Sequence, residues 1–394
     1  MEILYIAPSP PNSMNRSRSK NTLRAFHALG HSVTLMSFCK SKSDNAQLND
    51  CLSYVDRVVP VPQSALLSLF RCAFALFLPV PLRVAYCYSF AMRRAIAQEL
   101  KKHSYDLVYV KRLRLAPYAK MAKRAGVPCV LDITDSMTKY YDRVRKKQSG
   151  LERLLSWEEY HKHRIYEKKI CNALAPIVIC SEQDKSYLVE LDASLSDKIF
   201  VMNNSIDVEE WLERNIRFRP AGTRKRLVFL GVMDYAPNIL AVRYLVEEVM
   251  PLLPQAYTLS IVGAKDEHIR HLYHDARVQF VGFVEDMKAA LQEYDIFVCA
   301  IVAGSGVKNK ILQASMAGLP IASTTLGIEG VAPAIRDAVL VGDTPEELAK
   351  AILELDVMPE ELLRAKITLA QQIIQNDNSN VSVQAECLRQ LGFS

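Results

Sequence analysis

Neither common glycine signature for a nucleotide phosphate is present. No G-x-G-x-x-G follows an early strand with an acid about 20 residues on, and no glycine–lysine–serine/threonine step makes a Walker loop. C-x-x-C pairs are also missing. The nine cysteines are scattered, which excludes a disulfide framework or a zinc site on spacing grounds and suits reduced thiols. His268, His271 and His274 recur every third residue, but no cysteine or paired acid completes a metal face, so a solvated face is expected and no metal. Interleaved aromatics, zinc-finger spacing and a recognition-helix pattern are lacking, so nucleic acid is not an expected partner.

Long apolar runs are lacking too. A bilayer span needs ~20 mostly apolar residues. The best candidate, residues 65–82, is interrupted by Arg71 and ended by Pro79 and Pro81. It reads as a buried core helix, with an amphipathic surface helix dipping into lipid as the alternative. Residues 1–7 already read as a strand and lack the charged start, apolar run and cleavage site of a signal peptide. The expected location is cytoplasmic, with peripheral contact at the inner face of the plasma membrane left open.

What is present begins with size. The chain has 394 residues, half of them hydrophobic. That exceeds what one core usually holds, so two domains are expected. Residues 1–200 carry 31 Lys and Arg against 18 Asp and Glu, a net +13, and the remainder carries −7. The first half therefore faces something anionic. Its basic residues cluster around Arg83, Arg93, Arg94, Lys101 and Lys102, and again from Arg143 to Lys169. Such runs are usually solvated faces, but beside an apolar helix they also suit an anionic leaflet.

Strand-type and helix-type segments alternate throughout. In the first half, strands are expected at 3–7, 32–37, 107–110, 127–133, 176–180 and 199–202, with a long charged helix over 151–174. His161 and His163 on that helix are expected to be exposed. Residues 203–225, polar and irregular, read as a linker. In the second half, strands are expected at 227–231, 258–262, 278–281, 296–300, 321–324 and 339–341. This order implies two doubly wound parallel sheets. The expected domains are 1–205, 206–375, and a last helix in 376–394 returning to the first domain.

The most informative segment runs from Gly304 to Ile321. A buried strand leads into Gly304-Ser305-Gly306, then an apolar helix ending at Gly318, then another strand. A glycine loop at a helix N-terminus offers backbone N–H groups and partial positive charge to an anionic phosphate. Lys310 adds a full charge one turn in. A tight strand-to-helix turn is the other reading of the same spacing.

The segments Phe229–Asn238, Ile261-Val262-Gly263, Val281–Val284 and Gly304–Lys310 with Pro320 resemble the donor half of retaining family 4 glycosyltransferases of the GT-B fold, in the bacterial polysaccharide and glycolipid branch. Pro8–Pro11, Gly30–Leu35 and Cys180-Ser181-Glu182 stand where that family has counterparts in its first half. The resemblance implies two Rossmann-like α/β domains facing across a cleft. The first would bind an acceptor, a saccharide or a polyprenyl-diphosphate-linked one. The second would bind a UDP- or GDP-linked sugar, with no metal or other cofactor. Gly231, Met233 and Asn238 would line the diphosphate, and Lys310 would neutralise it as the sugar–phosphate bond breaks. Backbone around Val284 would receive the base, and Gly306 and Val307 would complete the donor loop. Catalytically impaired nucleotide-sugar binding and a GT-B-shaped epimerase are the alternative functions.

Two departures from the family pattern stand out. Where the family carries two glutamates seven residues apart, this chain has Ser305 and Gln313. Gln313 keeps a carbonyl acceptor for a ribose hydroxyl but is neutral. The role of the first glutamate is absent unless Asp234 or a backbone group takes it. In the loop after the first strand, Asn15 and Arg16 stand where many relatives have glycine, and they are the expected acceptor-side contacts. Asp135, after a buried strand, is expected to touch the sugar or acceptor; its other reading is a helix cap. Lys111, Arg112 and Arg114 would meet an acceptor phosphate or be surface charge.

Overall fold

The computed structural model describes residues 1–11 and 17–393. The chain divides into two compact units, Met1–Ser205 with Asn380–Ser394, and Ile206–Ser379. Each is a parallel sheet covered by helices, the α/β architecture expected from the alternating pattern.

The first unit holds β1 (Glu2–Ala7), β2 (Ser32–Cys39), β3 (Arg57–Pro62), β4 (Leu107–Lys111), β5 (Cys129–Thr134), β6 (Ile177–Ile179) and β7 (Ile199–Val201). Their order is β3-β2-β1-β4-β5-β6-β7. β1, β4 and β6 are buried on both faces and read as apolar runs for that reason. Leu4, Ile6, Val108 and Val110 feed one core, and Ile3, Tyr5, Leu107 and Tyr109 the other. Cys387 and Leu388, from the chain's last helix Asn380–Gln390, belong to that second core.

The second unit holds β8 (Arg226–Leu230), β9 (Thr258–Val262), β10 (Val278–Gly282), β11 (Ile296–Cys299), β12 (Ile321–Ser323) and β13 (Leu340–Val341), in the order β10-β9-β8-β11-β12-β13. Strand order reverses between β1 and β4 in one unit and between β8 and β11 in the other. In open α/β sheets, ligands bind outside the strand carboxyl ends at such switch points.

Four expectations need correction. Strand β3 is an addition to the expected strands, and it carries Pro60 and Pro62. It is an edge strand with only Val61 buried, and an edge tolerates proline. Residues 206–225 are no loose linker: Trp211 is buried, and the Arg224 guanidinium, fully inside, donates to the carbonyls of Leu355, Asp356 and Met358 at 2.7–3.2 Å. His163 is buried, not exposed; its Nδ1 lies 2.8 Å from the Glu159 carbonyl, and burial lowers its pKa to about 4. The helix Ala65–Ala75 is not core, since most of its leucines and phenylalanines face outward.

Candidate functional site

At the switch point of the second unit, β8 ends at Leu230 and the chain turns through Gly231 to the helix Ala236–Tyr244. The turn is built on close backbone approach. A Cβ on Gly263, at the end of β9, would lie 1.9 Å from the Gly231 carbonyl oxygen. A Cβ on Gly231 would lie 2.6 Å from the Asn238 side chain. Only glycine fits at 263, where the clash is with backbone, and at 231 a side chain would displace Asn238 from its place, which explains both residues without appeal to a ligand. The Gly231 N–H donates to the Val262 carbonyl and the Met233 N–H to the Ala264 carbonyl, pinning the loop to β9.

Lys310 reaches this loop from the first turn of the helix Asn309–Met316. Its Nζ donates to the Leu230 carbonyl at 2.6 Å and to Asn238 Oδ1 at 2.9 Å. Asn238 Nδ2 in turn donates to the Val232 carbonyl at 2.9 Å. The ammonium also sits 4.3 Å from the Phe229 ring centre. Lys310 therefore links the ends of β8 and of the connection after β11, the two strands that flank the switch point. A lysine has three N–H donors, and two are used here. Burial lowers its pKa to about 8, with Lys308 nearby adding to that.

The preceding loop is shaped by Gly304 and Gly306, at φ +110° and +76°. A Cβ on Gly304 would lie 3.0 Å from Pro237, so this loop packs against the first turn of the Ala236–Tyr244 helix. Lys308 Nζ folds back to the carbonyls of Ser305 and Gly306. Ser305 is buried and Val307 half-buried against the core. Gln313 lies one turn beyond Lys310 and is half-buried, with no side-chain hydrogen bond among the described residues.

The structure thus brings Gly231, Asn238, Lys310 and the Gly304–Val307 loop together. Other expected donor residues stand apart from that bond network. Met233 is fully buried. Asp234 is exposed and paired with Lys265. Val284 follows β10 and is half-buried against the core. Asn15 and Arg16 lie outside the described residues.

In the first unit, the group at the strand ends is centred on Asp132 rather than Asp135. Asp132 is fully buried at the end of β5. It accepts from Lys111 Nζ (2.5 Å), Tyr109 OH (2.9 Å), Arg18 Nε (3.4 Å) and the Thr134 N–H (2.9 Å). Those two cations hold its pKa well below the usual carboxylate range despite the burial. Burial lowers the Lys111 pKa to about 7. Lys111 is therefore an interior partner of Asp132 and not a free contact for an acceptor. Sequence reading missed this because Lys111 and Asp132 are 21 residues apart and become neighbours only when β4 pairs with β5.

Asp135 is half-buried, 3.4 Å from Arg112 Nη1, and accepts from Cys180 Sγ at 3.1 Å. Asp135, Cys180 and Asp184 place one possible ligand atom each within 4.8 Å of one another. Each is already engaged: Asp135 with Arg112, Cys180 with Asp135, and Asp184 with Lys139 at 2.9 Å. The three histidines at 268, 271 and 274 are exposed, as a solvated face requires, but they do not share a helix: only His271 lies in one, the short 3-10 helix Arg270–Leu272.

Over their full lengths, three solved structures superpose on the chain. Sucrose-phosphate synthase from Thermosynechococcus elongatus does so with a TM-score of 0.72 at 13% identity, covering 100% of this chain and 99% of that one. Anabaena HepE in complex with UDP-glucose gives 0.71 at 13%, covering 100% and 99%. A glycosyltransferase from Rickettsia africae gives 0.64 at 15%, covering 100% and 98%. The fold is GT-B. Residues 224–356 match the family model described as glycosyl transferases group 1. That span contains every element of the Lys310 site, from β8 through the glycine loop to Gln313, within the second of the two GT-B units. No curated protein sequence matches the chain.

Proposed function

We propose that this protein transfers a sugar from a nucleoside-diphosphate sugar to a saccharide or lipid-linked acceptor, with retention, in cell-surface polysaccharide or glycolipid biosynthesis. The observation that carries the reading is Lys310, tied to Leu230 and Asn238 at the switch point inside the segment that matches the glycosyltransferase family model. The GT-B neighbours that hold UDP or UDP-glucose support a nucleotide-sugar donor.

In this reading the diphosphate lies over the Gly231 turn and the glycine loop. The bond from the anomeric carbon to the diphosphate oxygen breaks, and that oxygen keeps the electron pair. Lys310 stabilises the charge that develops there, so a divalent cation is not needed. An acceptor hydroxyl then bonds to the anomeric carbon on the same face and passes its proton to the departing diphosphate oxygen. Gln313 offers its carbonyl to the ribose, and Asp135 with Arg112 forms the acceptor side. Impaired catalysis is the second reading, favoured by Ser305 and Gln313 where charged groups are expected.

The test is thermal stabilisation of the purified protein by UDP-, GDP- and ADP-sugars, followed by transfer assays with the one that works. A ligand that binds only the folded state raises the melting temperature. One nucleotide class should shift it clearly; no shift with any sinks the reading. A shift without transfer or hydrolysis selects the impaired alternative. Gln313→Glu should keep or strengthen that shift, because a carboxylate accepts from both ribose hydroxyls. Much weaker binding would show that Gln313 does not face the ribose.

A further inference from the structure

The helix Ala65–Ala75 is built inside out. Its inward face is the 68, 71, 72, 75 stripe. Ser68 meets Gln63 Nε2 at 3.2 Å, and Arg71 Nη1 donates to the Tyr88 carbonyl at 2.6 Å. Cys72 Sγ points to the Leu82 carbonyl, and Ala75 is buried. The outward face carries Leu66, Leu67, Leu69, Phe70, Phe74 and, just beyond, Phe77, each 56–88% exposed. Phe70 and Phe74 touch edge to face at 4.9 Å, so the surface is continuous. Taking about 150 Å² per side chain, these six present roughly 600 Å² of apolar surface, the upper end of what soluble monomers expose.

A second element extends the patch. The helix Gly150–Leu174 abuts the end of this one, with Lys162 Nζ donating to the Ala75 carbonyl at 2.7 Å and Glu159 accepting from the Leu82 N–H at 3.0 Å. Its first turns expose Leu151, Leu154 and Trp157. Further along, the character changes to basic. Trp157 contacts the His161 ring at 4.4 Å, and a shallow depression of about 500 Å³ follows, lined by His161, Arg164, Lys168 and Lys169. On the other flank, Arg93 lies over the rings of Tyr88 and the exposed Phe90, both at 5.9 Å.

We propose that this surface docks on an anionic lipid bilayer. Charge selects that partner. An apolar wedge bordered by arginine and lysine, in a half of the chain with net +13, matches acyl chains beneath negatively charged headgroups. Phe70, Phe74 and Phe77 enter the acyl boundary, Trp157 sits at headgroup depth, and Arg93, Arg153, Arg164 and Lys168 meet lipid phosphates. Among the described residues no helix is long and apolar enough to cross a membrane, so contact through this face is peripheral. The inference rests on the lipid-linked arm of the proposed function for its purpose, though its geometry is independent of it.

The test is flotation with vesicles of phosphatidylcholine alone and of phosphatidylcholine with phosphatidylglycerol, for wild type and for Phe70→Ser/Phe74→Ser/Phe77→Ser. These side chains are exposed, so an unchanged melting temperature verifies folding. Arg164→Glu/Lys168→Glu is the second variant. Wild type should float with the anionic vesicles, less so as salt rises, and each variant should lose about tenfold or more in vesicle affinity. Equal flotation of the triple variant, or none by wild type, overturns the proposal. So does a wild-type dimer that the triple variant converts to monomer, which would assign the face to a second copy. Nucleotide-induced stabilisation should be equal in all three proteins; its absence with vesicle binding intact refutes the donor reading and leaves this surface standing.

Discussion

Lys310→Ala should lower sugar transfer by about 10²-fold or more, the usual cost of losing one preorganised charge contact to the transition state. That corresponds to about 2.7 kcal/mol of barrier. The loss should fall mainly on kcat, because the charge on the leaving diphosphate grows as the glycosidic bond breaks. The variant should remain folded, since a partly buried amine with one bond to a backbone carbonyl and one to the Asn238 side chain is replaced by a smaller apolar group. Transfer at the wild-type rate would show that the diphosphate does not lie at the β8 switch point. The same lysine sets a pH dependence. Its pKa in the free protein is about 8, and only the protonated form attracts the diphosphate. Donor affinity should therefore weaken as pH rises through that value, with binding accompanied by proton uptake there. Lys310→Arg, which cannot be deprotonated, should flatten the profile, and calorimetry in buffers of different ionisation enthalpy would measure the proton uptake. A flat wild-type profile would remove Lys310 from the phosphate site.

Asp132→Ala should destabilise the first unit by about 3–5 kcal/mol, because it strands the buried Lys111 ammonium and leaves buried Arg18 without a counter-charge, held only by neutral acceptors on Met202, Asn203 and Asn204. Arg18 and Lys111 both lose their shared carboxylate in a region where Lys111 is 1% exposed and Arg18 5%. The sign with pH follows from Lys111. Below its folded pKa of about 7, wild-type Lys111 is protonated and paired. In the variant it must stay neutral while the unfolded chain is charged. The penalty should thus be larger at about pH 6 than at about pH 9. The chain has two tryptophans, Trp157 in the first unit and Trp211 in the second. Urea unfolding in a Trp211→Phe background follows the first unit alone. A change under 1 kcal/mol would show that Asp132 is dispensable. Adding Lys111→Met should restore part of the loss, since a buried charge without a partner is what makes the single substitution costly.

How much of this was legible beforehand differed by element. β1, β4, β8 and β11 were readable because a strand buried on both faces must be apolar along its whole length. β3 was not, since an edge strand has one ladder side open and admits Pro60 and Pro62. The glycine loop and Lys310 were readable as a local strand–loop–helix pattern. Its partner Asn238, 72 residues away, was expected at the site only through family resemblance, and the bond to Leu230 needed the fold. The helix Ala65–Ala75 misled for a physical reason: Ser68, Arg71 and Cys72 look like a solvent face. The structure turns them inward to side chains and carbonyls and leaves the phenylalanines outside.

The sequence by itself determined the alternation of strands and helices, the two sheets and the glycine loop that precedes Lys310. Those follow from periodicity and backbone sterics, which act over a few residues. Tertiary structure alone decided which polar groups share a buried site. Asp132 is held by Arg18 and Lys111 because β4 and β5 lie side by side. Lys310 is held by Leu230 and Asn238 because β8 and β11 do. Sheet order, not sequence spacing, brings such charges within a few ångströms, and only there does burial give them shifted pKa values and a role.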